Sequence, residues 1–131
     1  MTSRDQWKAL AARCAEAKGP DREIDWLILQ AIGWRRVKEG HPFGWVVYDG
    51  DQRANQILPN LTASLDAIVS LIEKTLPGYD WRVGKTPSQY DAQLYYGVEG
   101  DSFDEDAPTP ALALCVAYCL ARAELAKEGG E

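Results

Sequence analysis

Residues 109–127 read "TPALALCVAYCLARAELAK". Threonine followed by proline is a helix start: the hydroxyl can cap a free N–H of the first turn, and proline suits a position whose N–H has no partner. Thr109 is expected at the N-cap and Pro110 at the first helical position. Leu112, Cys115, Val116, Cys119, Leu120 and Ala123 then share one face, which must meet a core. A free cysteine on such a face behaves as a small hydrophobe. A structural zinc needs four ligands, and beyond this pair only Cys14 and His41 are of the usual kind. A redox pair would show two intervening residues at a helix start. Cys115 and Cys119 therefore read as core.

Working back along the chain, segment 3–18 places Trp7, Leu10, Ala11 and Cys14 at helical spacing. Gly19 ends that helix and Pro20 opens the next, roughly 20–32, with Ile24, Leu27, Ile28 and Ala31 on one face. Asp21, Glu23 and Asp25 suit the positive end of its dipole. "WVVYD" (45–49) has the content of a short strand, closed by a turn at "DGD". A third helix follows, with Thr62 as expected N-cap and Leu65, Ile68, Val69, Ile72 and Leu76 as its apolar stripe. "YDWRVGK" (79–85) and "YDAQLYYGV" (90–98) form an antiparallel pair around "TPSQ". In the second strand Tyr90, Ala92, Leu94, Tyr96 and Val98 alternate onto one face, and Tyr95 faces the other way. The segment 99–108 reads as an acidic loop. The result is one α+β domain over 1–131, in the order α-α-β-α-β-β-α, with a small, mainly antiparallel three-stranded sheet covered by helices on one or both faces.

Composition narrows the function classes. Hydrophobic residues at 46% and charged ones at 26% are globular values, which argues against disorder. A net charge of −6 opposes general nucleic-acid binding, which needs a cationic face. Five of the acids lie in "EGDSFDED" (99–106), so the rest of the chain is nearly neutral. Three cysteines and a start without an apolar leader point to a reducing cytoplasm. The longest apolar run, Ala111 to Ala121, is about half a bilayer span, so no membrane role is expected.

Three stretches, "GPDREIDWLILQAIGW" (19–34), "LTASLDAIVSLIEKTLPGYDWRV" (61–83) and "TPALALCVAYCLARA" (109–123), together resemble the phage ABA sandwich domain, a family of small phage and prophage proteins. The resemblance implies an α/β/α-type sandwich and the cytoplasm of a bacterial host. It carries no catalytic residues and no cofactor. Segments 35–59 and 99–108 match no pattern of the family, and variable loops are where individual function usually resides.

The residues themselves offer few chemical constellations. His41 is the only histidine, and no cysteine sits in the exposed, electropositive setting that a Cys–His pair requires. "DGDQRANQILPN" (49–60) has Arg53, Ala54 and Asn60 where a calcium loop needs an oxygen ligand, a glycine and a glutamate. No phosphate-cradling glycine motif is present. Catalysis, metal binding and a cofactor are therefore not expected, and a hydrolytic enzyme is the weakest reading. Two features remain. In "WRRVKEGHPFGW" (34–45), Trp34, Arg35 and Arg36 stand beside further aromatics, a combination that can stack a base and grip a phosphate. The same segment can instead drop Trp34 and Trp45 onto the core. Trp81, Arg82 and Tyr95 could add to such a ligand site if one sheet face is open. The second feature is Asp101, Asp104, Glu105 and Asp106, either a solvated connector or an electronegative patch for a cationic partner. The first expectation is thus a non-catalytic phage or prophage accessory protein that docks on a basic surface of a host protein, such as one of its defence proteins. The alternative is a trap for a small anionic, nucleotide-type ligand, with a homo-oligomer compatible with either. An acidic patch on an open face favours the former. Arginines and aromatics converging in a pocket favour the latter.

Overall fold

The computed structural model describes residues 2–41, 44–49, 52–53, 59–97, 100 and 102–128. Helix α1 (Arg4–Glu16) begins in a capping box: Gln6 N donates to Ser3 Oγ at 3.2 Å, and Ser3 N donates to Gln6 Oε1 at 2.7 Å. Its buried residues are Trp7, Leu10, Ala11 and Cys14, the stripe read from the sequence. Helix α2 (Arg22–Ala31) is capped by Asp21, whose carboxylate accepts from Glu23 N and Ile24 N. Pro20 therefore precedes the cap and is not in the first turn. The buried face of α2 is Ile24, Asp25, Ile28 and Leu29, rotated from the expected one so that Leu27 and Ala31 are only partly covered.

Gly33, at φ 112°, turns the chain from α2 into strand β1 (Trp34–His41). This is the left-handed region that glycine enters without a Cβ penalty. Strand β1 pairs antiparallel with β2 (Gly44–Asp49), and β2 with the short β3 (Gln52–Arg53). The expected strand at 45–49 is present. The stretch from Trp34 to His41, to which the sequence alone assigns no strand, is its partner: four charged residues hide a strand whose hydrogen bonds come from β2. The expected turn at "DGD" lies outside the described residues, as do Phe43 and the side chains of Arg36, His41 and Trp45.

Helix α3 (Leu65–Thr75) starts at Ser64, whose Oγ accepts from Ala67 N at 3.2 Å. Thr62, the expected cap, is fully buried and tied to α2 instead. Its N–H donates to Asp25 Oδ1 at 2.7 Å, and its hydroxyl accepts from Asp21 N and donates to Asp25 Oδ1, both at 2.8 Å. Arg22 Nη1 reaches Asp25 Oδ2 at 3.0 Å and also bonds Asn60 Oδ1. The carboxylate read as a helix-dipole residue is a buried clasp between two segments 37 residues apart.

The second sheet consists of β4 (Tyr79–Lys85), β5 (Tyr90–Tyr96) and β6 (Ser102–Ala107), antiparallel in that spatial order. The turn between β4 and β5 is closed by Thr86 N donating to Gln89 O at 2.8 Å. Helix α4 (Pro110–Glu128) follows directly, with Leu112 N donating to Thr109 Oγ1 at 3.1 Å, as the start signal required.

The class is α+β with small antiparallel sheets, and helices and strands follow the expected order, with additional strands at β1, β3 and β6. Every residue from Ala111 to Cys119 is buried, because α4 packs against β5 and β6 on one side and against α1 and α3 on the other. Helix α4 is thus the middle layer. Among the described residues, helices cover only one face of the β4–β6 sheet, which answers whether one face or both would be covered. Tyr118 from α4 meets Trp7 edge to face, centroids 6.0 Å apart, and shares a 2.7 Å hydrogen bond with Thr75 of α3. Burial pushes the Tyr118 phenol up to about 12, against the lowering effects of the Thr75 bond and Arg122. Cys14, Cys115 and Cys119 are buried and unbridged, and Cys115 Sγ donates to Leu61 O at 3.4 Å. Burial raises the Cys115 thiol well above its ordinary value. For Cys119 the contact with Cys14 contributes first and burial second.

Candidate binding face

Antiparallel register turns the β4–β6 sheet into a lattice whose two faces follow from parity. Trp81, Leu94 and Phe103 are cross-strand neighbours on the face that meets α4, as are Val83, Ala92 and Glu105. The outer face then has three rows. Asp80, Tyr95 and Ser102 form the first, Arg82, Gln93 and Asp104 the second, and Gly84, Asp91 and Asp106 the third. Asp80, Arg82, Ser102, Asp104 and Asp106 are exposed, and Asp91, Gln93 and Tyr95 half-buried. Four carboxylates face one guanidinium. Asp91 and Asp106 stand directly opposite one another, an arrangement that costs stability when nothing neutralises it.

The acidic segment is therefore not a loop. Residues 102–107 alternate as a strand, with Phe103, Glu105 and Ala107 toward the helix layer and Asp104 and Asp106 outward. Charge concealed this alternation, because Glu105 occupies a position where an apolar residue would have shown it. Partial burial, then Asp106 and Asp104, push the Glu105 carboxyl above its ordinary value. Since β6 is an edge strand, these acids also discourage pairing with another edge. Asp101 lies outside the described residues.

The expected ligand constellation is divided. Trp81 is on the helix side of the sheet and 37% exposed. Trp34 lines a separate apolar cavity of about 190 Å³ with Leu29, Leu61, Leu71 and Lys74. Arg35 is exposed on β1. Among the described side chains of this set only Arg82 and Tyr95 come together, the guanidinium 5.9 Å from the ring centroid. They line a cavity of about 360 Å³ with Asp80, Gln93, Gly100 and Ser102. A larger hollow of about 570 Å³ lies between α1 and α2, but its single cation, Arg13, is paired with Glu23 at 3.2 Å.

Gly100 lets the chain close that cavity, since a Cβ there would lie 1.9 Å from the Tyr96 carbonyl oxygen. Within the cavity a short relay sets the polarity. Ser102 Oγ donates to Asp104 Oδ1 at 3.2 Å and accepts from Gln93 Nε2 at 3.0 Å. A carboxylate only accepts, so the serine hydrogen is committed to Asp104 and the amide of Gln93 must present its NH₂ to Ser102. Gln93 Oε1 is left as an acceptor.

Asp80, Asp91, Gln93 and Ser102 were not singled out from the sequence. The alternation of "YDWRVGK" places Asp80 and Arg82 on one face, but only the register shows that Tyr95 is opposite Asp80. Among the described residues no cluster of His, Cys, Asp or Glu is arranged to hold a metal, and no helix is long and apolar enough to cross a membrane. Comparisons with family models, with curated proteins and with solved structures find no match. The resemblance to the phage ABA sandwich domain rests on the three sequence segments alone.

Proposed function

We propose that this chain is a small phage or prophage accessory protein that works by binding, with the outer face of the β4–β6 sheet as its docking surface for a basic region of a host protein. The observation that carries this reading is the open face itself, where Asp80, Asp91, Asp104 and Asp106 surround a single Arg82 and no described helix intervenes. A cationic partner would relieve the opposed Asp91–Asp106 pair and be steered by the field of the face. The phage attribution is drawn from the sequence resemblance. A small-molecule reading draws on the cavity beside Tyr95, yet an anionic nucleotide would have to approach four carboxylates with one arginine to receive it. The acidic face thus favours a cationic occupant.

The test is affinity capture from bacterial host lysate with the wild-type chain and an Asp91→Asn/Asp104→Asn/Asp106→Asn variant in parallel. The expected result is a protein retained by the wild type, released by salt and absent from the variant. Equal capture by both, or a small anion retained in native mass spectrometry of the wild type, would overturn the reading.

A further inference from the structure

We propose that the cavity on the outer sheet face receives an arginine side chain of the docking partner. The proposal rests on the docking reading and specifies what the surface recognises. With one Gln93 N–H and the Ser102 hydroxyl hydrogen spent on the relay to Asp104, the acceptors that line the cavity are the Asp80 carboxylate, Gln93 Oε1 and the face of Tyr95. Its one charged donor is Arg82. A guest with several donors and a positive charge matches this set, and a guanidinium supplies five N–H groups in one plane.

Geometry separates the two sides of the tyrosine ring. Arg82 reaches Tyr95 diagonally from the neighbouring row, while Asp80 lies directly opposite Tyr95 in its own row. Among the described residues the cavity beyond that row is walled by Gly97 and Gly100, which contribute backbone and no side chain. Among the described residues Asp80 has no ion pair, with Arg82 or any other cation. An incoming guanidinium can therefore pair with Asp80 and lie against Tyr95 on the glycine side. Arg82 shows that this ring accepts a guanidinium, and its charge opposes the guest. It acts as a built-in competitor that sets the affinity.

A lysine of equal charge would gain less, because an ammonium cannot bond a carboxylate in a fork or stack flat on a ring. This difference provides the test. Two blocked peptides, alternating glycine with arginine or glycine with lysine and equal in length and charge, are titrated into the isotope-labelled full chain at low salt. Chemical-shift changes are followed by NMR. The arginine peptide is expected to move the Tyr95 and Gln93 side-chain resonances and to bind about tenfold more tightly than the lysine peptide. Asp80→Asn and Tyr95→Leu should each abolish this preference while the lysine peptide loses far less. Arg82→Gln should strengthen it. Asp80 and Arg82 are exposed and Tyr95 is half-buried on the outer face, and a thermal melt of each variant verifies its fold. Equal affinity for the two peptides, lost together in Asp104→Asn/Asp106→Asn, would overturn the arginine pocket and leave the docking surface standing. Binding of neither peptide at millimolar concentration would overturn both.

Discussion

Asp25 has no solvent exposure, and its two oxygens accept from the Thr62 amide, the Thr62 hydroxyl and the Arg22 guanidinium. Removing the carboxylate leaves a buried N–H and a buried hydroxyl without their acceptor, so Asp25→Ala should cost on the order of 3–5 kcal/mol. Urea unfolding measures this directly, and a loss below about 1 kcal/mol would show that the clasp contributes little. Tyr118 gives a second prediction at this scale, in the alkaline range. Its folded pKa of about 12 exceeds the ordinary value of 10, so the folded state holds its proton more tightly than the unfolded one. Stability from this group is complete below pH 10 and falls as pH rises from 10 to about 12. Two units correspond to about 3 kcal/mol. Cys115 and Cys119, also raised, add to the same alkaline loss from a lower pH. Tyr118→Phe should therefore flatten the dependence of unfolding free energy on pH between 10 and 12 without removing the loss that begins near 9. An unchanged slope between 10 and 12 would mean that Tyr118 is not the group responsible.

At the scale of elements, two threonines and a serine illustrate how a cap differs from a clasp. Thr109 and Ser64 each accept one N–H of the following helix, at 3.1 and 3.2 Å, in settings only partly covered. Thr109→Ala and Ser64→Ala should each cost about 1 kcal/mol. Thr62→Val keeps the side-chain volume but strands the Asp21 amide and one lone pair of Asp25, so it should cost more than either cap. Chemical denaturation of the three variants checks the ranking. Equal losses would restore Thr62 to the role of an ordinary cap. The four helix positions in α1 and the Thr109–Pro110 start were legible because caps and i, i+3, i+4 spacing are local signals. The strand at 102–107 was not, because its hydrogen bonds come from β5 and its apolar cover from α4, neither of which leaves a mark on the composition of "SFDEDA".

For the molecule as a whole, β6 combines two uses of charge. As an edge strand it discourages pairing with other edges through Asp104, Glu105 and Asp106, and on the outer face the two aspartates belong to the proposed docking surface. Asp104→Asn/Glu105→Gln/Asp106→Asn should leave the fold intact, with the like-charge repulsion relieved. It should also promote self-association, visible as a concentration-dependent rise in mass by sedimentation equilibrium. A variant that keeps the mass of the wild type at every concentration would show that the carboxylates do not guard this edge. Association with a cationic partner should slow in the same variant, whereas dissociation changes less. The two readouts are independent, since self-association is a property of the backbone edge and partner binding of the outer face.

The sequence by itself determined the helices α1, α3 and α4, the β4–β5 hairpin, the burial of all three cysteines and the placing of Tyr95 opposite to Ala92 and Leu94. Each depends on neighbours within a few positions, or on the plain demand that an apolar face be covered. Tertiary structure alone decided that Asp25 reaches across to Thr62, that the acidic segment is a strand, and that Trp34, Trp81 and Tyr95 go to three different places. It also decided which sheet face stays open. These outcomes depend on pairing register and on where α4 lies, both set by contacts between residues far apart in the chain, and a carboxylate that faces solvent has the same letter as one that anchors the core.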